Sequence, residues 1–337
     1  MADQPLFTVP NVSPYDFLQI VPNSDGSLTR LISFPTVSAA ADHQSDSAVL
    51  TKDIPLNTTN KTWLRIYRPR RLPPSFSSSS GKLPLIVYYH GGGFIIGAAA
   101  WNIFHDFCSN LAAELPALVI SVEYRLAPEH RLPAAYEDAV EVLHFIKNQL
   151  ELLNEKSEQE EWLRELGDCS QCFLMGSSAG GNIAYHAGLR AQAMAHDLEP
   201  LKITGLILHQ PFFGGSQRTE SESNLANNPF LPLSVTDVMW ELSLPVGSDR
   251  DHVYSNPMTT GSLTHQIGLL GRCLVTGCSG DLLISQQMEF VKMLEEEGVT
   301  VVSWFQEGGY HGVELMEPMK SPALTTVVRE FIFRSSL

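Results

Sequence analysis

The 337-residue chain has no basic excess: 22 Lys and Arg stand against 37 Asp and Glu, a formal net charge of −15. A surface of that sign repels phosphate backbones and anionic lipid, so neither a nucleic-acid nor a membrane-surface partner is expected. Long hydrophobic runs are missing too. LPLIVYY (83–89) and ITGLILH (203–209) fall far short of the ~18 apolar residues of a membrane span. The start, MADQPLFTVPNVSPYDF, has neither a basic n-region nor an apolar core, so no secretory signal is read there. Without that signal the sequons at Asn11 and Asn60 carry no weight, and Ser335-Ser336-Leu337 lacks the Lys of a peroxisomal address. The cytoplasm is the expected compartment. Cysteine is scarce and odd in number: Cys108, Cys169, Cys172, Cys273 and Cys278. Free packed thiols follow, not a disulfide framework. Cys169-x-x-Cys172 and Cys273-x4-Cys278 flank or sit in apolar runs, where Cys acts as a small hydrophobe, so no metal site and no cofactor are expected.

What is present is globular: 44% hydrophobic and 18% charged residues exclude a chain disordered throughout. SPYDFLQI reads as a short amphipathic helix, and GSLTRLISFPTV as an extended segment. TWLRIYRPR (62–70) alternates apolar and basic residues, the pattern of a half-exposed strand, and PPSFSSSSGK (73–82) reads as a surface loop. From residue 83 short apolar runs follow one another at 83–90, 117–124, 172–177, 203–210, 272–278 and 299–305. Helical-length segments at 102–115, 134–166, 179–195 and 282–298 lie between most of them, and 149–166 is acidic, as a solvated helix end would be. Near-continuous apolar strands alternating with helices predict a mostly parallel sheet with helices on both faces. The interval 211–270 breaks the alternation with Pro229, Pro232, Pro245 and Pro257. Its length predicts a cap over the sheet's carboxyl edge, shared with the N-terminal segment 1–45, within one domain spanning 1–337.

CFLM runs into Gly176-Ser177-Ser178-Ala179-Gly180-Gly181 and then into a helical segment. This is G-x-S-x-G in the strand–turn–helix setting that gives it meaning, with Ser178 as nucleophile near a helix N-terminus. A serine nucleophile needs a base, and the base an orienting acid. Between Asp251 and Glu289 the only acidic residue is Asp281, and beyond it the only histidine is His311. Each follows an apolar strand, so Asp281 and His311 complete the candidate triad. His90-Gly91-Gly92-Gly93-Phe94 follows LPLIVYY; its glycines let backbone N–H groups approach a substrate oxygen. The N–H groups of Gly92, Gly93 and Ala179 are the candidate oxyanion hole, with His90 and Gly91 shaping the loop. Phe94, Ile95 and Ile96 are candidates for an apolar substrate pocket.

YHGGGFIIG, VEYRLAPEHRLPAAYEDA, GSSAGGNIAYH and the late Asp and His together resemble the hormone-sensitive-lipase branch of the α/β-hydrolases. SPYDFLQIVPNSDGSLTRL further resembles the plant carboxylesterases of that branch. The resemblance implies the α/β-hydrolase fold and a serine carboxylesterase; a monomer is the expected state. It would act on small to medium carboxylic esters and react with organophosphates. Two positions depart from the family pattern. Ser177 stands where many members have Asp, and Asp281-Leu282-Leu283-Ile284-Ser285 lacks a Pro and a second acid. Two rivals share the resemblance: gibberellin receptors, which replace the catalytic histidine by an aliphatic residue, and isoflavonoid-type dehydratases.

Overall fold

The computed structural model describes residues 12–41, 47–71, 81–151, 161–259 and 264–333. The Asn11 sequon, nearly all of the 73–82 loop, the acidic stretch 152–160 and the C-terminal Ser-Ser-Leu lie outside them. Ten strands run in chain order: β1 (Ile20–Pro22), β2 (Leu28–Arg30), β3 (Val49–Asn57), β4 (Thr62–Pro69), β5 (Leu83–Tyr89), β6 (Leu118–Glu123), β7 (Gly167–Ser177), β8 (Ile203–His209), β9 (Arg272–Cys278) and β10 (Val301–Gln306). The helices are α1 (Pro14–Phe17), α2 (Asn102–Glu114), α3 (Ala134–Glu151), α4 (Glu161–Leu166), α5 (Ala179–Ala193) and α6 (Ala195–Leu198). They continue with α7 (Glu220–Asn224), α8 (Leu233–Ser243), α9 (Thr264–Ile267), α10 (Ile284–Glu296), α11 (Val313–Met316) and α12 (Ser321–Phe333).

β1 and β2 form a small hairpin; the other eight make one sheet in the order β10-β9-β8-β7-β5-β6-β4-β3. From β6 to β10 every pairing is parallel, and β4 and β3 add on antiparallel. The parallel strands read as unbroken apolar runs because both faces are covered. Leu85, Val87 and Tyr89 of β5 point into a core shared with α3, α5 and α10, while Ile86 and Tyr88 join α2 and α12 on the other side. The chain leaves β5 for β6 on one flank and returns as β7 on the other. The strand order therefore reverses between β5 and β7, which opens a crevice at their carboxyl ends, the usual place for a ligand in such sheets.

Two features of this half differ from the sequence reading. β4 is not half-exposed: Leu64, Arg65, Ile66 and Tyr67 are all 1% exposed or less. A further strand, β3, pairs along its outer edge; Lys52, Asp53 and Pro55 had masked β3 as an edge strand. Buried Arg65 is tolerated because Asp53 takes its Nε and Nη2 at 2.6 and 2.8 Å and the Val37 carbonyl takes Nη1. The helix expected near residue 14 is α1, capped by Ser13 and packed on α8. Arg30 of β2 donates to the carbonyls of Ile95 and Ala127 and grips both oxygens of Glu129. Residues 12–41 are thereby strapped to the loops after β5 and β6. No helix among the described residues is long and apolar enough to cross a membrane.

Candidate active site

At the carboxyl end of β7 the chain turns into α5 through Ser178, whose φ of 56° and ψ of −120° lie where L-residues rarely stand. Close approach enforces the turn. A Cβ on Gly176 would overlap the Gly180 carbonyl, and one on Gly180 would overlap the Tyr89 carbonyl of β5. Both outer glycines of G-x-S-x-G are therefore required by backbone contact, and Ser178 is lifted to the crevice. Ser177 is 1% exposed, and its Oγ accepts from Tyr88 OH at 3.1 Å, which fills the position where many relatives carry Asp.

Asp281 follows β9, and His311 lies between β10 and α11. His311 Nδ1 is 2.8 Å from Asp281 Oδ2, and His311 Nε2 is 2.9 Å from Ser178 Oγ. A carboxylate oxygen accepts, so Nδ1 donates and Nε2 is left to take the serine proton. Asp281 is fully buried and also accepts from the Leu283 N–H and from Gln287 Nε2, each at 3.0 Å. Gln287 was not anticipated; a buried glutamine on the inner face of α10 was its only signal. Ser285, where many relatives have an acid, bonds with Ser221 of α7 instead.

The loop after β5 reverses through Gly92, Gly93 and Phe94 at φ of 119°, 59° and 66°. A Cβ on Gly92 would overlap the Ile96 carbonyl, and one on Gly91 would stand 3.3 Å from Ser178 Cβ. The loop thus lies directly against Ser178. Among the described residues, the N–H groups of Gly92, Gly93 and Ala179 donate to no protein acceptor. His90 is fully buried, stacked on Tyr124 with ring centroids 4.3 Å apart, and its Nδ1 is 2.7 Å from the Gly91 carbonyl. Burial pushes this imidazole down to about 4, so it is neutral near pH 7 and braces the loop.

Above Ser178 lies a cavity of about 230 Å³. Phe94, Ile95 and Ile96 do not line it. The reversal sends Phe94 and Ile95 into the core, where Phe94 packs on Phe212 and Trp240. The walls come from Phe212, Phe230, Leu231 and Met239 of the 211–270 interval, from Ile103 and Phe104, and from Leu315 and Met316. No motif marks these residues; they are apolar side chains brought together only by the fold. Among the described residues, His311 is the one titratable side chain in the lining. All five cysteines are free, and burial pushes Cys273 and Cys278 up to about 12, so they are packed thiols and poor nucleophiles. Among the described residues no group of three or more His, Cys, Asp or Glu side chains could hold a metal ion.

A family model of the α/β-hydrolase fold matches residues 86–315. A 3-O-acetylpapaveroxine carboxylesterase of Papaver somniferum is 50% identical over 323 residues, 95% of this chain and 97% of that one. Carboxylesterase 20 of Arabidopsis thaliana is 47% identical, covering 96% and 98%. A gibberellin receptor of the same plant is similar at 31% over 84% of this chain and 78% of its own. Among solved structures, a hyperthermophilic esterase from the archaeon Pyrobaculum calidifontis superposes with a TM-score of 0.67 at 25% identity, covering 84% of each chain.

Proposed function

The chain belongs to the α/β-hydrolase family and is a carboxylesterase of the plant type, and on that premise we propose that Ser178, His311 and Asp281 hydrolyse esters through an acyl-enzyme. The unbroken relay Asp281–His311–Ser178, at 2.8 and 2.9 Å, carries the proposal. Ser178 Oγ attacks the ester carbonyl while His311 Nε2 takes its proton. The negative charge that grows on the carbonyl oxygen meets the N–H groups of Gly92, Gly93 and Ala179, which have no protein acceptor among the described residues. His311 then protonates the departing alkoxide. Water, deprotonated by His311 in turn, attacks the acyl-enzyme and restores Ser178.

The reading includes one domain, capped over Ser178 by the N-terminal segment 1–45 and the 211–270 interval. It also includes a monomer and the cytoplasm, where five free thiols remain reduced. A receptor role is disfavoured, because His311 is present and bonded to Ser178 and the receptor relative is the more distant one. The apolar cavity suits uncharged esters of small to medium size, and the O-acetyl substrate in the poppy relative's name puts short acyl groups first.

The test is a series of p-nitrophenyl esters of increasing acyl length, run on the wild type and on Ser178→Ala. A small organophosphate should also label Ser178, since tetrahedral phosphorus resembles the acyl-transfer intermediate. Turnover falling steeply with acyl length, with neither turnover nor label in the variant, is the expected result. Equal hydrolysis by Ser178→Ala would overturn the assignment.

A further inference from the structure

One short segment, residues 209–212, holds both ends of the Ser178–His311 contact. Its backbone fixes Ser178: the His209 carbonyl accepts the Ser178 N–H, and the Phe212 N–H donates to the Ser178 carbonyl, each at 2.9 Å. The Gln210 side chain fixes the histidine loop. Its Oε1 accepts the Gly312 N–H at 2.6 Å, and its Nε2 donates to the Tyr310 carbonyl at 3.2 Å, so it clasps the backbone on both sides of His311. The same Nε2 reaches Cys278 Sγ at 3.3 Å, at the end of the strand that leads to Asp281. An N–H only donates and a carbonyl only accepts, so these partners leave no choice about which amide atom is oxygen. Gln210 is 1% exposed and held at φ of 44°, left-handed backbone that a buried non-glycine residue adopts only under constraint. Its own N–H is bonded to the Thr276 carbonyl of β9 at 2.8 Å, so the base of the clasp is tied to the sheet.

We propose that Gln210 is a positioning residue that sets the reach from His311 Nε2 to Ser178 Oγ, an inference that rests on His311 being the base of the proposed esterase. The serine is fixed by the backbone of the segment and the histidine by one side chain of it. Their separation is thus set locally, without summing small displacements across four strands. Gln210 touches no reacting atom; it acts through the Tyr310–Gly312 backbone. Without it, Gly312 N–H loses its bonded partner, the Tyr310 carbonyl keeps the Val313 N–H at 3.1 Å and Cys278 Sγ at 3.6 Å, and the His311 loop is left to those bonds and to the contact with Asp281.

Two variants test the proposal: Gln210→Leu, which removes both polar atoms, and Gln210→Glu, which has the same shape. For each, kcat and KM on p-nitrophenyl acetate and the rate of organophosphate labelling are expressed per titrated active site. In Gln210→Leu, kcat and the labelling rate should fall together, roughly 10- to 100-fold, while KM changes by less than about threefold. In Gln210→Glu, added negative charge beside the His311 loop favours imidazolium, so the acid limb of kcat/KM should move to higher pH. A residue of merely structural importance would reduce the number of titratable sites and the Tm, but not turnover per site. Per-site turnover in Gln210→Leu within about twofold of wild type would overturn the proposal. If that variant does not fold, wild-type per-site turnover together with an unmoved acid limb in Gln210→Glu overturns it equally. Wild-type hydrolysis, measured alongside, bears on the esterase reading alone.

Discussion

The floor and the roof of the cavity are built on different principles. The floor is backbone: Gly91–Gly93, Gly176 and Gly180 stand where an added side chain would meet a carbonyl or Ser178 itself, or where φ is positive. The roof is side chains: Phe212, Phe230, Leu231 and Met239 close the cavity by apolar contact. A backbone contact of this kind admits one residue type, whereas an apolar wall admits any of several of similar volume. On the proposed mechanism the chemistry falls to the floor, and the choice of substrate to the roof.

The largest expected effect lies in the floor. Ser178→Ala should lower kcat by about 10³- to 10⁶-fold with the fold retained, as removal of a triad nucleophile does elsewhere. Ser177→Ala, which gives up one buried hydrogen bond to Tyr88, should cost far less turnover. The reverse order would mean that the turn is misplaced by one residue. Gly180→Ala comes next. Its new methyl group must push α5 away from β5 at the Tyr89 carbonyl, so denaturant unfolding should show a loss of about 1–3 kcal/mol, with turnover falling as Ser178 moves. Wild-type stability in that variant would show that the floor yields more easily than the packing implies.

This division also explains what was legible in the sequence. The floor could be read residue by residue, because steric demand leaves glycine, serine and their spacing as a signature. Asp281 and His311 were found because they are the only acid and the only histidine in their intervals. Strand order was open to inference only as a class. β3 was missed because an edge strand tolerates Lys, Asp and Pro, and β4 was read as half-exposed because its arginine partner Asp53 lay in that missed strand. The roof could not be read. Phe94 to Ile96 follow the glycine loop directly in sequence, yet positive φ turns Phe94 and Ile95 into the core, and most of the walls come from segments more than a hundred positions further on, with only Ile103 and Phe104 close by. Gln210 and Gln287 escaped for another reason: a lone glutamine side chain belongs to no spacing pattern that would betray its partner.

Changes to the roof should redistribute activity without abolishing it. Met239→Ala enlarges the cavity beside Gly93, and Phe230→Ala opens its rim. Each should shift the ratio of kcat/KM between long and short acyl esters by about 5- to 50-fold, the range of one or a few methylenes in an apolar pocket. The organophosphate labelling rate should change much less than that ratio. If the ratio stays fixed while overall turnover collapses, these residues support the floor, and the division drawn above fails.

The smallest effect concerns the fastening of the N-terminal segment beside the floor. Burial opposes ionisation of Glu129, but its two bonds to Arg30 and the Leu28 N–H outweigh that and hold its carboxyl down at about 2 instead of the ordinary 4.5. A carboxylate with a lowered folded-state pKa adds stability above its unfolded value, and that stability is lost as pH falls towards the folded one. The strap should therefore contribute fully above pH 4.5 and fade between there and about 2. Glu129→Gln keeps an acceptor for Leu28 N–H but carries no charge. The Tm difference between wild type and this variant should be greatest near neutrality and shrink on acidification. Protonation of the other carboxylates is common to both proteins and cancels in that difference. Because the pair is partly exposed, added salt should shrink the difference as well. A difference that stays constant from pH 7 to 3 would mean that shape, and not charge, fastens the N-terminal strap to the loop after β6.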